Sequence, residues 1–273
     1  GLGLDPVLSI CIATKHVANH YALNTIGEIE NGLTANFIVF DDLEKFNVLQ
    51  TWHHGKLIAQ NGQILSPSVS HVDWSTAKKS VKLPSTLTET SFAVNIRSEP
   101  VRVIGLIPGQ LYTEELHLNS TDADILKMAV IERHHNTGNI GLGFVKGFNF
   151  RKGAIASTVG HDAHNVAVVG DNDTDMLLAA KTLQPEGGQC VTSNGEVLAY
   201  LPLPIAGLMS DEPAPVVIQQ QQAVLNAAHQ LGCLLDDPFM PLSFLPLSVI
   251  PKLKLSDLGL IDVDQFKVVP LEV

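Results

Sequence analysis

"GAIASTVGHDAHNVAVVGDNDTDM", residues 153–176, places two apolar runs, Ala154 to Val159 and Val166 to Val169, on either side of His161, Asp162, His164 and Asn165. The runs read as buried strands, so the polar group sits where a sheet enters or leaves a core. Burying an amide or hydroxyl without a partner costs roughly 2 to 7 kcal/mol, and a charge costs more. A turn whose side chains bond nearby backbone would offset that cost, and so would a wet cleft. Two histidines, an Asp and an Asn within five positions, beside a second acidic cluster, favour the functional loop over the plain turn.

The second cluster, Asp171 to Asp175, imitates the start of a calcium loop. It fails at the sixth position, where Met176 stands in place of Gly, and at the twelfth, where Thr182 stands in place of a bidentate Glu. These aspartates read instead as charges at the start of a helix over about 174–183, with Asp171 or Asp173 near its first turn and Asp171 the exception that adjoins a strand end. His161 and His164 would converge on a helix face. Their β-type neighbours argue against a helix, and an odd offset on a strand sends side chains to opposite faces, so only a loop brings them together.

Upstream, "MAVIERHH" reads as a strand whose end alternates Glu132 and His134 on one face with Arg133 and His135 on the other. Its plain alternative is an exposed strand end with an ion pair. "PVRVIGLIP", "LGFVKGF", "AIASTV" and "VAVVG" are further strands, Asp122 to Met128 a polar turn or short helix, and "GGQCVTSNGEVLAYL" a hairpin turning at Asn194-Gly195. Pro215 opens a long helix that Gly232 closes. The last forty residues, broken by Pro238, Pro241, Pro246 and Pro251, are expected to wrap as extended segments and turns.

Toward the N-terminus, Asp5 caps a helix with Pro6 at its first position, running to about Leu23. Short strands follow in "ANFIVFDD", "FNVLQTW" and "KLIAQNGQIL", with turns at Asn31-Gly32, His54-Gly55 and Asn61-Gly62. Residues 66–91, rich in Ser, Thr, Lys and Pro, form the linker candidate, with Trp74 as an anchor. Strands in hairpins outnumbering helices give an α+β class of packed sheets with covering helices, in preference to a doubly wound parallel sheet.

With 273 residues, 45% of them hydrophobic, and a formal net charge of -11, the chain has the composition of a globular protein large enough for two domains. Seventeen basic residues without a cluster give no footprint for nucleic acid or an anionic membrane. Cys11, Cys190 and Cys233 lie far apart and read as small buried hydrophobes in a reducing compartment, which predicts a cytoplasmic protein. A glycine cradle for phosphate and a "GxSxG" elbow are both missing from the sequence.

Taken together, "LDPVLSICIATKHVANHYAL", "GEIENGLTANFIVFDDL", "VIERHHNTGNIGLGFVKGF", "GAIASTVGHDAHNVAVVGDNDTDM", "LPLPIAGLMSD" and "DPFMPLSFLPLSVIPKLKLSDLGL" resemble the bacterial adenine deaminases of the amidohydrolase superfamily. Asn36 departs from the Asp usual there, which bears on a turn hydrogen bond. The resemblance implies that residues 1–25 are the last helix of an incomplete amidohydrolase barrel, 26–85 a small β-sandwich segment and linker, and 86–273 the C-terminal domain. It implies hydrolysis of adenine to hypoxanthine and ammonia at a two-metal centre of manganese or iron, whose ligands belong to a barrel portion upstream of Gly1.

On that resemblance, His161, Asp162 and His164 are catalytic candidates and Glu132, Arg133, His134 and Asn165 contact substrate. They form a second wall at the barrel mouth, and none of them is a metal ligand. The implied partners are adenine, the N-terminal barrel of the same enzyme and further copies of the chain in a homo-oligomer, with no nucleic acid and no membrane. The isolated chain is expected to be inactive. The alternative is a non-catalytic module that packs against the barrel or another subunit.

Overall fold

A computed structural model describes residues 3–65 and 72–273, which fall into two compact units, Gly1–Val72 and Asp73–Val273. The first six positions of the linker candidate, Ser66 to His71, lie outside the described residues.

The first unit begins with the expected helix. The Asp5 carboxylate accepts the Leu8 N–H at 2.9 Å ahead of α1 (Pro6–Cys11), which continues through a π turn, Ile12–His16, into α2 (Val17–His20). Gly27, at φ 114°, brings its backbone against this helix where a β-carbon would come within 2.5 Å of Ala18. An antiparallel meander follows, β1 (Phe37–Phe40), β2 (Val48–His53), β3 (Lys56–Gln60) and β4 (Gln63–Ile64). Both residues of the His54-Gly55 and Asn61-Gly62 turns have positive φ, the backbone that matches the twist of a tight hairpin. Asn36 Oδ1 accepts the His54 N–H at 2.8 Å, so the substitution does fall on a turn hydrogen bond.

The second unit is built on an eight-stranded sheet. Its strands are β5 (Val101–Leu106), β6 (Thr113–Leu118), β7 (Ile125–Ile131), β8 (Ile140–Lys146), β9 (Ala154–Ser157), β10 (Val166–Gly170), β11 (Gly188–Ser193) and β12 (Glu196–Pro202). They lie in the order β12-β11-β9-β10-β7-β8-β5-β6, antiparallel throughout except for β5 with β8. Helices are α3 (Asp173–Thr182), α4 (Ala214–Gln230) and α5 (Phe239–Phe244), and a small second sheet joins β13 (Leu253–Ser256), β14 (Gly259–Asp262) and β15 (Lys267–Val268). The class is α+β, as the sequence predicts.

Every residue of β9 and β10 is buried, which explains why their sequences read as continuous apolar runs and not as alternation. On one face Ile155, Val169, Met128 and Val145 pack with Val224 and Ala228 of α4, Phe239 and Leu242 of α5, and Leu253 and Leu260 of the small sheet. On the other, Ala156, Val168 and Ile131 pack with Met176 and Ala180 of α3 and with Val81, Leu87 and Phe92. Two cores on one sheet make three layers.

Several expectations are corrected. The latter part of the linker candidate is core: Val81 and Leu87 are at most 2% exposed. Ile125 to Met128 belong to β7, because Leu126 and Met128 enter the core and only Asp122 to Asp124 turn. The proline-broken tail forms α5, with Pro241 in its first turn where no N–H is required, as well as three short strands. The helix expected after the acidic cluster is α3, with Asp173 and Asp175 in its first turn as expected and Asn172 as its cap, accepting the Asp175 N–H at 2.9 Å.

Candidate functional site

Register decides where the polar group goes. Ile131 of β7 lies opposite Val166 of β10, and Ser157 of β9 lies opposite Ala167. The segment after β7 and the loop between β9 and β10 therefore leave the sheet at one end, and Glu132 to His135 meet Gly160 to Asn165. In their placement, His161, Asp162 and His134 are exposed, His164 is half-buried, and Asn165, Glu132 and Arg133 are 7%, 6% and 1% exposed.

The strand alternation expected for Glu132 and Arg133 ends at Ile131, and each side chain anchors the turn in its own way. Glu132 accepts the N–H groups of His134, His135 (2.8 Å) and Thr137 (2.9 Å) and the Thr137 hydroxyl (3.2 Å). Burial pushes its carboxyl up, and those donors more than reverse the push, holding it down to about 2. Arg133 donates to the His164 carbonyl, to Ser80 Oγ at 3.1 Å and to the Ala206 carbonyl at 2.9 Å, so one buried guanidinium joins three segments. A β-carbon at Gly207 would stand 3.0 Å from its Nη1, which keeps that position bare.

The loop is held elsewhere too. His161 N–H donates to the Ser243 carbonyl of α5 at 3.1 Å, and its ring lies on Phe244 with centroids 3.6 Å apart and planes 19° from parallel. His134 Nε2 meets the Ala163 carbonyl at 2.7 Å. Asn165 and Asn139 each donate to Asp257 at 3.2 Å, one to each carboxylate oxygen. Between these ties, Asp162 and His164 adopt φ of 126° and 51°, backbone that side chains with a β-carbon rarely take.

Within this loop two buried polar atoms have no partner, His164 Nδ1 and Asn165 Oδ1. Burial, then the positive charge of Arg133 and the neighbouring His134, lowers the His164 pKa and favours its neutral form. A neutral imidazole and an exposed carboxylate two residues apart can carry protons to and from a ligand that faces the loop. Among the described residues, no group of three or more His, Cys, Asp or Glu could hold a metal ion, so the residues present do not fit a metal centre.

The loop thus brings together His161, Asp162, His164, Asn165 and His134, with Glu132 and Arg133 beneath it. Phe244, Ser243, Asp257, Ser80 and Ala206 join the site from distant sequence, and no local pattern announces them. Two clefts lie at the opposite end of the sheet, lined among others by Asp124, Asp171 and Arg151 and by Lys127, Asp171 and Asp173. No helix among the described residues is long and apolar enough to cross a membrane.

The profile of the family "Adenine deaminase C-terminal domain" matches residues 110–267. "Adenine deaminase" of Dehalococcoides mccartyi is 42% identical over 99% of this chain and 49% of its own length. "Adenine deaminase" of Methanothrix thermoacetophila is 41% identical over 98% and 48%, and "Adenine deaminase 2" of Carboxydothermus hydrogenoformans 41% over 98% and 49%. The chain spans about half the length of the curated relatives it matches. It belongs to the adenine deaminase C-terminal domain family.

Proposed function

We propose that this chain is part of an adenine deaminase and that its His161 loop forms one wall of the active site. The reaction replaces the C6 amino group of adenine by the oxygen of water, giving hypoxanthine and ammonia. The observation that carries the reading is the combination of exposed Asp162 with the half-buried imidazole of His164, whose Nδ1 lacks a partner, both in unusual backbone that Arg133 and Asp257 brace. Such backbone persists only where its surroundings impose it, and it is concentrated at functional sites.

In this reading Asp162 and neutral His164 handle the protons of the attacking water and the departing amine. His134 and Asn165 border the base, while Glu132 and Arg133 hold the loop in place. The manganese or iron centre that the resemblance implies has its ligands on the part of the relatives' length beyond this chain, and the isolated chain releases no ammonia from adenine. A cytoplasmic homo-oligomer of the whole enzyme completes the proposal.

The test uses the full-length enzyme. Asp162→Ala and His164→Ala are expected to lower kcat/KM for ammonia release by about 100-fold or more, the usual weight of a positioned acid or base, with native mass and metal content unchanged. Turnover within threefold of the parent overturns the reading. Loss of assembly with normal chemistry in the remaining enzyme indicates the packing module instead.

A further inference from the structure

We infer that His161, laid flat on Phe244, is a stacking platform for a planar heteroaromatic base and sets substrate class through its ring face; this rests on the proposed active-site wall. Three constraints fix the ring. Its backbone N–H is bonded to the Ser243 carbonyl, its Nδ1 lies 3.4 Å from the same oxygen, and one face covers Phe244. A carbonyl only accepts, so this contact favours the tautomer with its proton on Nδ1, which then helps to hold the ring.

His161 is nonetheless exposed. With one face on Phe244 and one edge on Ser243, the surface left open is the opposite face and the Nε2 edge. An aromatic face immobilised by the fold loses little further freedom when a ligand lies on it. Every nucleobase has a flat π face, and stacking on aromatic side chains is a recurrent way of holding one. Asp162, next in sequence and also exposed, supplies an acceptor on the same loop, which suits a base carrying N–H groups.

The inference also explains why the loop and α5 are joined at Ser243-Phe244. A loop that needed only to cover the sheet end could use any apolar contact, whereas here two rings are nearly parallel, with the polar edge of the outer one bonded to carbonyl. The platform recognises shape and planarity and leaves proton transfer to its neighbours.

Steady-state kinetics of the full-length enzyme with adenine separate ring from nitrogen. His161→Phe keeps a flat ring and is expected to hold KM within about threefold, while His161→Ala and the bulkier His161→Leu raise it about tenfold or more, the range expected for a lost base stack. The change in kcat for these two is expected to be much smaller than the change in KM. Thermal melting of each variant confirms that folded enzyme is compared. A His161→Phe variant that loses as much as His161→Ala overturns the inference in favour of nitrogen chemistry, and unchanged KM in His161→Ala overturns it in favour of packing. Asp162→Ala run in parallel keeps the two failures apart: lost turnover there with unchanged KM at position 161 removes only the platform, whereas normal turnover there removes the active-site wall.

Discussion

Two polar clusters flank β10, His161 to Asn165 where it begins and Asp171 to Asp175 where it ends, and they differ less in composition than in how their bonds are satisfied. In the second, Asp175 is 3% exposed, yet Oδ1 accepts the Gly195 N–H and Oδ2 accepts the Asn194 N–H and the Asn172 amide. Asn172 caps α3 and Asp173 pairs with Lys127. That cluster welds a helix to a hairpin turn. In the first, positive φ at Asp162 and His164 accompanies unpartnered atoms on His164 and Asn165, and the bonds come from residues beneath the loop. Density of polar residues therefore does not separate a structural knot from a site, but the completeness of its hydrogen bonding does.

The comparison can be broken at the support under the first cluster. The Glu132 carboxyl is held at about 2 against an ordinary 4.5, so the native chain binds fewer protons than the unfolded one between those values. Its contribution is fully present above pH 4.5 and disappears as pH falls through about 2. Glu132→Gln is expected to cost on the order of 3 kcal/mol near neutral pH. Urea unfolding of both proteins at pH 7, 5 and 4 should show the gap beginning to close below about 4.5. A gap unchanged down to pH 3 would mean that Glu132 acts by shape and not by charge.

Asp175→Ala tests the other side. The N–H groups it frees at Asn194 and Gly195 belong to an exposed turn that water can reach, so the loss is expected to be smaller, about 2 kcal/mol in denaturant unfolding. Turnover per folded full-length molecule should not change. A drop in turnover would extend the site to the far end of β10 and dissolve the contrast.

Sheet strands were legible because apolar runs bounded by turn residues leave few alternatives, and the His54-Gly55, Asn61-Gly62 and Asn194-Gly195 hairpins carry their geometry in two letters. Illegible were elements decided by distant partners. Val81 and Leu87 look like linker until α3 covers them, and "FMPLSF" becomes a helix because Phe239 and Leu242 have a core to enter. The same division holds at the site. His161, Asp162 and His164 declare themselves by density, and register then unites them with Glu132 and Arg133. Phe244 and Asp257 are ordinary letters in an apolar tail, and only the fold brings them beside the loop.

His164 offers the finest discrimination between the two clusters. A residue kept for structure should lose stability when removed, whereas one kept for function at structural expense should release some. At φ 51° a glycine escapes a conformational cost of about 1 to 2 kcal/mol, and deleting the imidazole removes an unpartnered buried nitrogen. Against this stand roughly 0.5 to 1 kcal/mol of extra chain entropy for glycine and the contacts of a half-buried ring. His164→Gly is therefore expected to raise unfolding stability by about 1 kcal/mol while turnover of the full-length enzyme falls steeply. If the variant instead loses stability, the ring is part of the loop's framework, and His164 belongs with Asp175 as a structural residue.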